Sequence, residues 1–233
     1  MSRLPSIFVM GALTGALGAC GADQPGRDSP VPMPASPSAT PAPIAAKGRL
    51  GRPATVPAAA NVFGAGRTRS PAPAGGGAGV LPTVWRLPAG AHRIVRIPEA
   101  TGRVNPIEGS AADNGPGGDR TGPTDVTSYG GISGIVHRRN GMFLTGVFLA
   151  DGPPRRPAPA RLNFTRREPS RSLAPRLAQT FLVGSGKGLA LRVPAGATRL
   201  FLGFADGYLY IGPPGWYGNN DGELSVTVDL ASG

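Results

Sequence analysis

The sequence predicts an all-β sandwich from about residue 80 to residue 230, and three features carry that expectation. Apolar residues come in short runs cut by Gly and Pro, β-branched and aromatic residues gather in those runs, and no stretch sustains the period of an amphipathic helix. Strands are expected over residues 92–97, 132–136, 142–149, 179–183, 189–193, 198–205, 208–211 and 224–230. Short strands joined by turn-rich connections build sandwiches, whereas strands alternating with helices would build an α/β domain.

Composition narrows the rest. The 233 residues include 37 Gly and 27 Pro, enough to place part of the chain at the edge of low complexity. Lys and Arg number 24 against 13 Asp and Glu, a net charge of +11, and Lys47 and Lys187 are the only lysines. One cysteine excludes an intramolecular disulfide and a multi-cysteine zinc site, and two histidines fit a His-rich catalytic metal centre poorly.

The N-terminus reads as an export signal. Arg3 gives a positive start, and the uncharged stretch 7–19 suits a signal core but is too short to cross a bilayer as a helix. It ends in Leu17-Gly18-Ala19-Cys20, which resembles the lipobox of bacterial lipoproteins. That resemblance implies a signal peptide over residues 1–19 and a mature chain starting at a lipidated Cys20. More than one acyl chain on that residue would hold the protein stably to a membrane, which implies an exported, membrane-anchored envelope lipoprotein, at the outer membrane of a bacterium. A plain signal peptide is the alternative.

Residues 20–79 are expected to form a disordered tether. Positions 21–79 hold 11 Pro, 14 Ala, 10 Gly and 4 Ser, with little aromatic or branched apolar content beyond Phe63. Such a segment buries too little surface to offset its ordering entropy, and Gly75-Gly76-Gly77 would be its floppiest point. Its six Lys and Arg against two Asp would draw it to anionic polymer or simply keep it solvated.

Within the sandwich, Leu87-Pro88-Ala89-Gly90-Ala91-His92-Arg93-Ile94 is echoed by Val193-Pro194-Ala195-Gly196-Ala197-Thr198-Arg199-Leu200. Each copy would set a Pro-initiated turn and launch a strand at an equivalent edge. Two copies do not make a solenoid.

Chemistry, where the sequence carries any, sits near the C-terminus. The apolar run 200–205 ends on Asp206, and a loop then leads to Gly215-Trp216-Tyr217-Gly218-Asn219-Asn220-Asp221-Gly222. Carboxylate, amide and backbone carbonyl oxygens are the ligands Ca²⁺ prefers, and no thiol or imidazole stands nearby in the sequence to favour zinc. Asn and Gly also make ordinary hairpin turns, which is the competing reading of the same residues.

The segment Ala205-Asp206 followed by Pro214-Gly215-Trp216-Tyr217-Gly218-Asn219-Asn220-Asp221-Gly222-Glu223-Leu224-Ser225-Val226 resembles the end of the PA-I galactophilic lectins of bacteria. The resemblance implies a β-sandwich of galactose-binding-domain-like type with a calcium ion bridging protein and sugar hydroxyls. Asp206 would supply a carboxylate, Asn219 and Asn220 their side-chain oxygens, and Trp216 its backbone carbonyl. A further backbone ligand would come from an early loop, near residues 105–108. Two departures stand out: residues 207–212 have no counterpart in the lectin pattern, and the family's sugar-touching His and Gln have no match, His137 reading instead as a solvated strand end. Tyr208, Tyr210, Trp216 and Tyr217 would offer rings to a sugar's C–H face, although Tyr208 and Tyr210 alternate as in a half-buried strand.

The expected function is therefore calcium-dependent binding of a glycan or polysaccharide by an envelope lipoprotein. The alternative is a structural or polyanion-binding lipoprotein whose contact surface is the Arg-rich stretch 138–176, with pairs at Arg138-Arg139, Arg155-Arg156 and Arg166-Arg167. No nucleic-acid motif or aromatic interleaving accompanies those arginines. An enzyme is not expected: Gly184-Ser185-Gly186 lacks the frame of a nucleophile elbow, and Asp206 with Asp221 sits in a turn that suits a cation better than a glycosidase pair.

Overall fold

The computed structural model describes residues 45–232 except 91–92, 108, 110–113, 119–121 and 167–171. The signal peptide, Cys20 and the 20–44 portion of the expected tether lie outside the described residues. Fourteen strands follow in chain order: β1 (Lys47–Gly48), β2 (Pro53–Pro57), β3 (Thr83–Arg86), β4 (Arg93–Asn105), β5 (Thr124–Val126), β6 (Ile135–His137), β7 (Leu144–Leu149), β8 (Leu162–Phe164), β9 (Ser172–Leu173), β10 (Phe181–Leu182), β11 (Ala190–Arg192), β12 (Arg199–Phe204), β13 (Ile211–Gly212) and β14 (Asp221–Ser232). Single turns of 3-10 helix interrupt them, and no α-helix occurs among the described residues. The all-β sandwich is what the apolar runs predict.

The strands form three sheets, ordered β1-β3-β12-β7-β10, β2-β14-β4-β11-β9 and β13-β5-β6-β8. In the first, the central strands β12 and β7 are covered on both faces, which explains why β7 is apolar almost throughout rather than alternating. On β12, Leu200, Leu202 and Phe204 pack with Val95, Leu224 and Val226 of the second sheet. Phe201 points the other way, into a smaller core with Val126 and Ile135 of the third. Leu144 and Phe148 of β7 alternate with Val147 and Leu149 between the same two cores, as the period of two in a strand requires.

The tether expectation fails for residues 45–79, which belong to the folded domain. β2 pairs antiparallel with β14, Val56 opposite Leu224, and β1 pairs parallel with β3. Val56, Val62 and Phe63 are wholly buried. A few apolar residues suffice because each fills a slot already bounded by the other strands; composition averaged over the segment hides that long-range pairing. Asn61 fixes the turn between them, its Oδ1 accepting the Phe63 amide at 2.9 Å and its Nδ2 donating to the Pro71 carbonyl at 2.7 Å.

The two echoed turns meet. Each precedes a strand, β4 and β12, and the buried Arg93 of the first donates Nη2 to the Ala197 carbonyl of the second at 2.8 Å. Val193 N–H donates to the Arg93 carbonyl and Leu87 N–H to the Thr198 carbonyl. The repeated sequence thus builds one joint at one end of the sandwich.

Candidate functional site

β12 carries the chain through the core and delivers Asp206 just beyond its end, where the side chain is only 4% exposed. Its Oδ1 accepts the Gly207 amide at 2.7 Å and its Oδ2 accepts Asn220 Nδ2 at 2.9 Å. Among the described residues no basic side chain pairs with it. Burial pushes its pKa up to about 7, against the pull of the Asn220 and Gly207 hydrogen bonds. A buried acid with amide neighbours only is a site short of positive charge.

Tyr217 holds this corner in place. Its ring is fully buried, and its hydroxyl accepts the Asp206 amide at 2.9 Å while donating to the Phe204 carbonyl at 3.1 Å. Burial, and after it the Asp206 charge, raises the phenol's pKa well above its ordinary value, so it stays a donor. The expected role of Tyr217 in sugar contact is thereby corrected: its ring belongs to the main core, because its hydroxyl bonds the backbone at the end of β12.

Backbone strain concentrates here. Trp216 has φ 67°, Leu209 φ 51° and Tyr210 φ 61°, three of the five left-handed non-glycine residues among those described. Each costs about 1–3 kcal/mol and persists only where surrounding contacts enforce it. For Trp216 the enforcement comes from Gly75-Gly76-Gly77. The Trp216 amide donates to the Gly75 carbonyl at 2.9 Å, Tyr217 to Gly77 and Gly218 to Gly76, both at 3.1 Å. A Cβ on Gly76 would overlap the Trp216 ring, and one on Gly77 would lie 2.6 Å from the Gly218 Cα. The segment expected to be floppiest is a strap bonded to the loop, and three glycines in a row were the one sign of it.

Asn219 and Asn220 complete the arrangement. The Oδ1 atoms of both are sealed from solvent and accept no hydrogen bond. Asn220 turns its Nδ2 toward the Asp206 carboxylate, and its own Oδ1 and that of its chain neighbour Asn219 are buried hard oxygens of the kind Ca²⁺ takes, with no donor to satisfy them. The residues present therefore fit that ion. No group of three His, Cys, Asp or Glu side chains comes together among the described residues, so amide and backbone oxygens would have to supply most of the ligands.

The remaining expected site residues are partly assembled. Residues 208–210 form a 3-10 turn rather than a strand, since Leu209 and Tyr210 take left-handed backbone angles that no strand allows. Tyr208 is 59% exposed and its ring lies 5.0 Å from that of Trp216, tilted by 45°. Tyr208 is thus open to solvent and Trp216 half-buried, the two rings touching on the loop that follows Asp206. Tyr210 instead packs down on Gly141 and the main core. Of the early loop, Asn105 lies opposite Asp221 in the β4–β14 ladder and Glu108 is outside the described residues. The early segments bonded to the loop are the glycine strap and Ala58, whose carbonyl accepts Asn220 Nδ2 at 3.4 Å.

His137 is buried, not solvated. Its Nδ1 accepts the Arg139 and Asn140 amides at 3.2 and 3.0 Å and its ring lies 5.1 Å from Phe143, so it caps the turn that follows β6. Arg138, Arg139, Arg155 and Arg156 are exposed, and Arg161 pairs with Asp125. The sequence matches no protein-family model and no curated protein.

Proposed function

We propose that this protein is an envelope lipoprotein whose sandwich binds glycan through a calcium ion held by Asp206, Asn219, Asn220 and the Trp216 carbonyl, without catalysing a reaction. One observation carries the reading: the buried Asp206 carboxylate is bonded to Asn220, and the buried Oδ1 atoms of Asn220 and its neighbour Asn219 have no donor. A Ca²⁺ ion there would offer its open coordination positions to vicinal sugar hydroxyls in place of water. The chain's own part is to hold the oxygens still. Tyr217 fixes the Asp206 backbone, and the glycine strap fixes Trp216. The exposed Tyr208, beside the half-buried Trp216, supplies apolar area for the C–H face of a sugar.

A glycan array read in millimolar calcium and again in chelator tests the reading. Binding of neutral glycans that vanishes in chelator and weakens in Tyr208→Ala, with the fold unchanged, is the expected result. Binding that ignores chelator and falls steeply with salt would replace it with contact through the exposed arginines of 138–176. The anchor is tested separately: Cys20→Ala should move the protein out of the membrane fraction, and retention there would remove lipidation from the proposal.

A further inference from the structure

At the other end of β12 from Asp206, the outer face of β1, β3 and β12 encloses a cavity of about 620 Å³, the size of a site for one small organic molecule. Lys47, Arg49, Arg67, Arg86 and Arg199 line it, and no Asp or Glu does. Its floor is apolar, with Leu81, Pro82, Val84 and Phe201.

Two features show that the charges are not there merely to be solvated. Arg86 and Arg199 are register partners on adjacent antiparallel strands, so two guanidinium groups start from directly opposed positions. Like charges placed so destabilise a sheet. The second feature is Arg199 Nε, which is buried and has no acceptor. The rest of Arg199 is well held: Nη2 donates to the Ala150 and Gly152 carbonyls, and the guanidinium lies 5.2 Å over the Phe201 ring. Burial depresses its pKa, and Arg86 adds to the depression, while Asp151 opposes it. Arg67 is likewise tied to the Phe63 and Gly130 carbonyls. A rigid cation with an unmet donor, a repelled neighbour and an apolar floor lacks one thing, an oxyanion on an apolar body.

We infer that this cavity binds an organic phosphate or related oxyanion ester, its charge between Arg86 and Arg199 and its apolar body on Val84 and Phe201. The site is separate from the proposed calcium site and does not depend on it. It also differs from the exposed arginines of 138–176, none of which lines it.

Titration of the full chain with octyl phosphate, below its micelle concentration, tests this. Saturable one-site binding is expected, at least about tenfold tighter than for inorganic phosphate because the chain adds buried methylenes. Arg86→Ala, a change at an exposed residue, should weaken octyl phosphate about tenfold, the loss of one charge-assisted contact. The double variant Arg138→Ala, Arg139→Ala removes as much charge elsewhere and should bind as wild type. Vesicles separate the sources of such an ester. Retention on phosphatidylglycerol but not phosphatidylcholine vesicles, displaced by octyl phosphate, identifies a lipid headgroup; octyl phosphate binding without vesicle retention identifies a soluble ester. No saturable octyl phosphate binding, or equal losses in Arg86→Ala and the double variant, would overturn the inference.

Discussion

Asn220 donates its Nδ2 to Asp206 Oδ2 at 2.9 Å and in doing so leaves its own Oδ1 buried without a donor. The contact spans 14 residues and joins the end of β12 to the start of β14. It makes the two side chains a half-satisfied pair, open to a cation and sensitive to pH.

Calcium should raise the melting temperature. One carboxylate among neutral oxygens implies weak affinity, on the order of 10⁻⁴ to 10⁻³ M. At about 10 mM calcium, mass action then gives roughly 1.4–2.7 kcal/mol, a rise of about 3–10 °C for a domain of this size. Asp206→Ala or Asn219→Ala should abolish the rise while the sandwich still melts cooperatively. A wild-type curve indifferent to calcium would return Asn219 and Asn220 to an ordinary turn.

In chelator, stability should fall as pH rises from about 4 to about 7 and then level off. The Asp206 carboxyl has an ordinary value of 3.8 and a folded value of about 7, so across that window the folded chain keeps a proton the unfolded chain has lost. Asp206→Asn, neutral throughout, should flatten this part of the profile. A calcium-free melting profile that climbs over the same window in wild type and not in the variant would contradict the burial of the charge.

Tyr217→Phe should destabilise by about 1–3 kcal/mol, since it strips partners from two buried backbone groups, the Asp206 amide and the Phe204 carbonyl. Chemical denaturation measures it. A neutral outcome would place the hydroxyl outside that network.

Gly76→Ala should be more harmful than Gly115→Ala. The first adds a Cβ against the Trp216 ring at φ 67°, the second has nothing within 4 Å. A loss of about 1–3 kcal/mol is expected for Gly76→Ala, together with a weaker calcium response. Equal melting temperatures for the two variants would mean that the strap yields freely.

A chain beginning at residue 45 should fold, and one beginning at residue 80 should not. The second lacks β1, β2 and the fully buried Val56 and Phe63, and exposes the β14 edge that β2 covers. Circular dichroism and melting cooperativity of the two chains decide it.

Short apolar runs such as 142–149 and 198–205, cut off from one another by Gly and Pro, were enough to give the all-β class and the core strands. Those signals are local and each strand carries its own. That Asp206 and Asn220 would come together was legible, because the apolar run and the turn residues on either side of the loop keep their identity whatever surrounds them. Where the chain relies on distant partners, the sequence was silent. β2 and the glycine strap read as tether because their burial comes from β14 and the 214–218 loop, more than a hundred residues away. Tyr217 read as an exposed ring, yet it packs in the main core with strands far from it in the chain. Arg86 and Arg199, 113 positions apart in the numbering, became neighbours only through strand register. Long-range pairing decides which face a side chain occupies, and no window of sequence contains both members of such a pair.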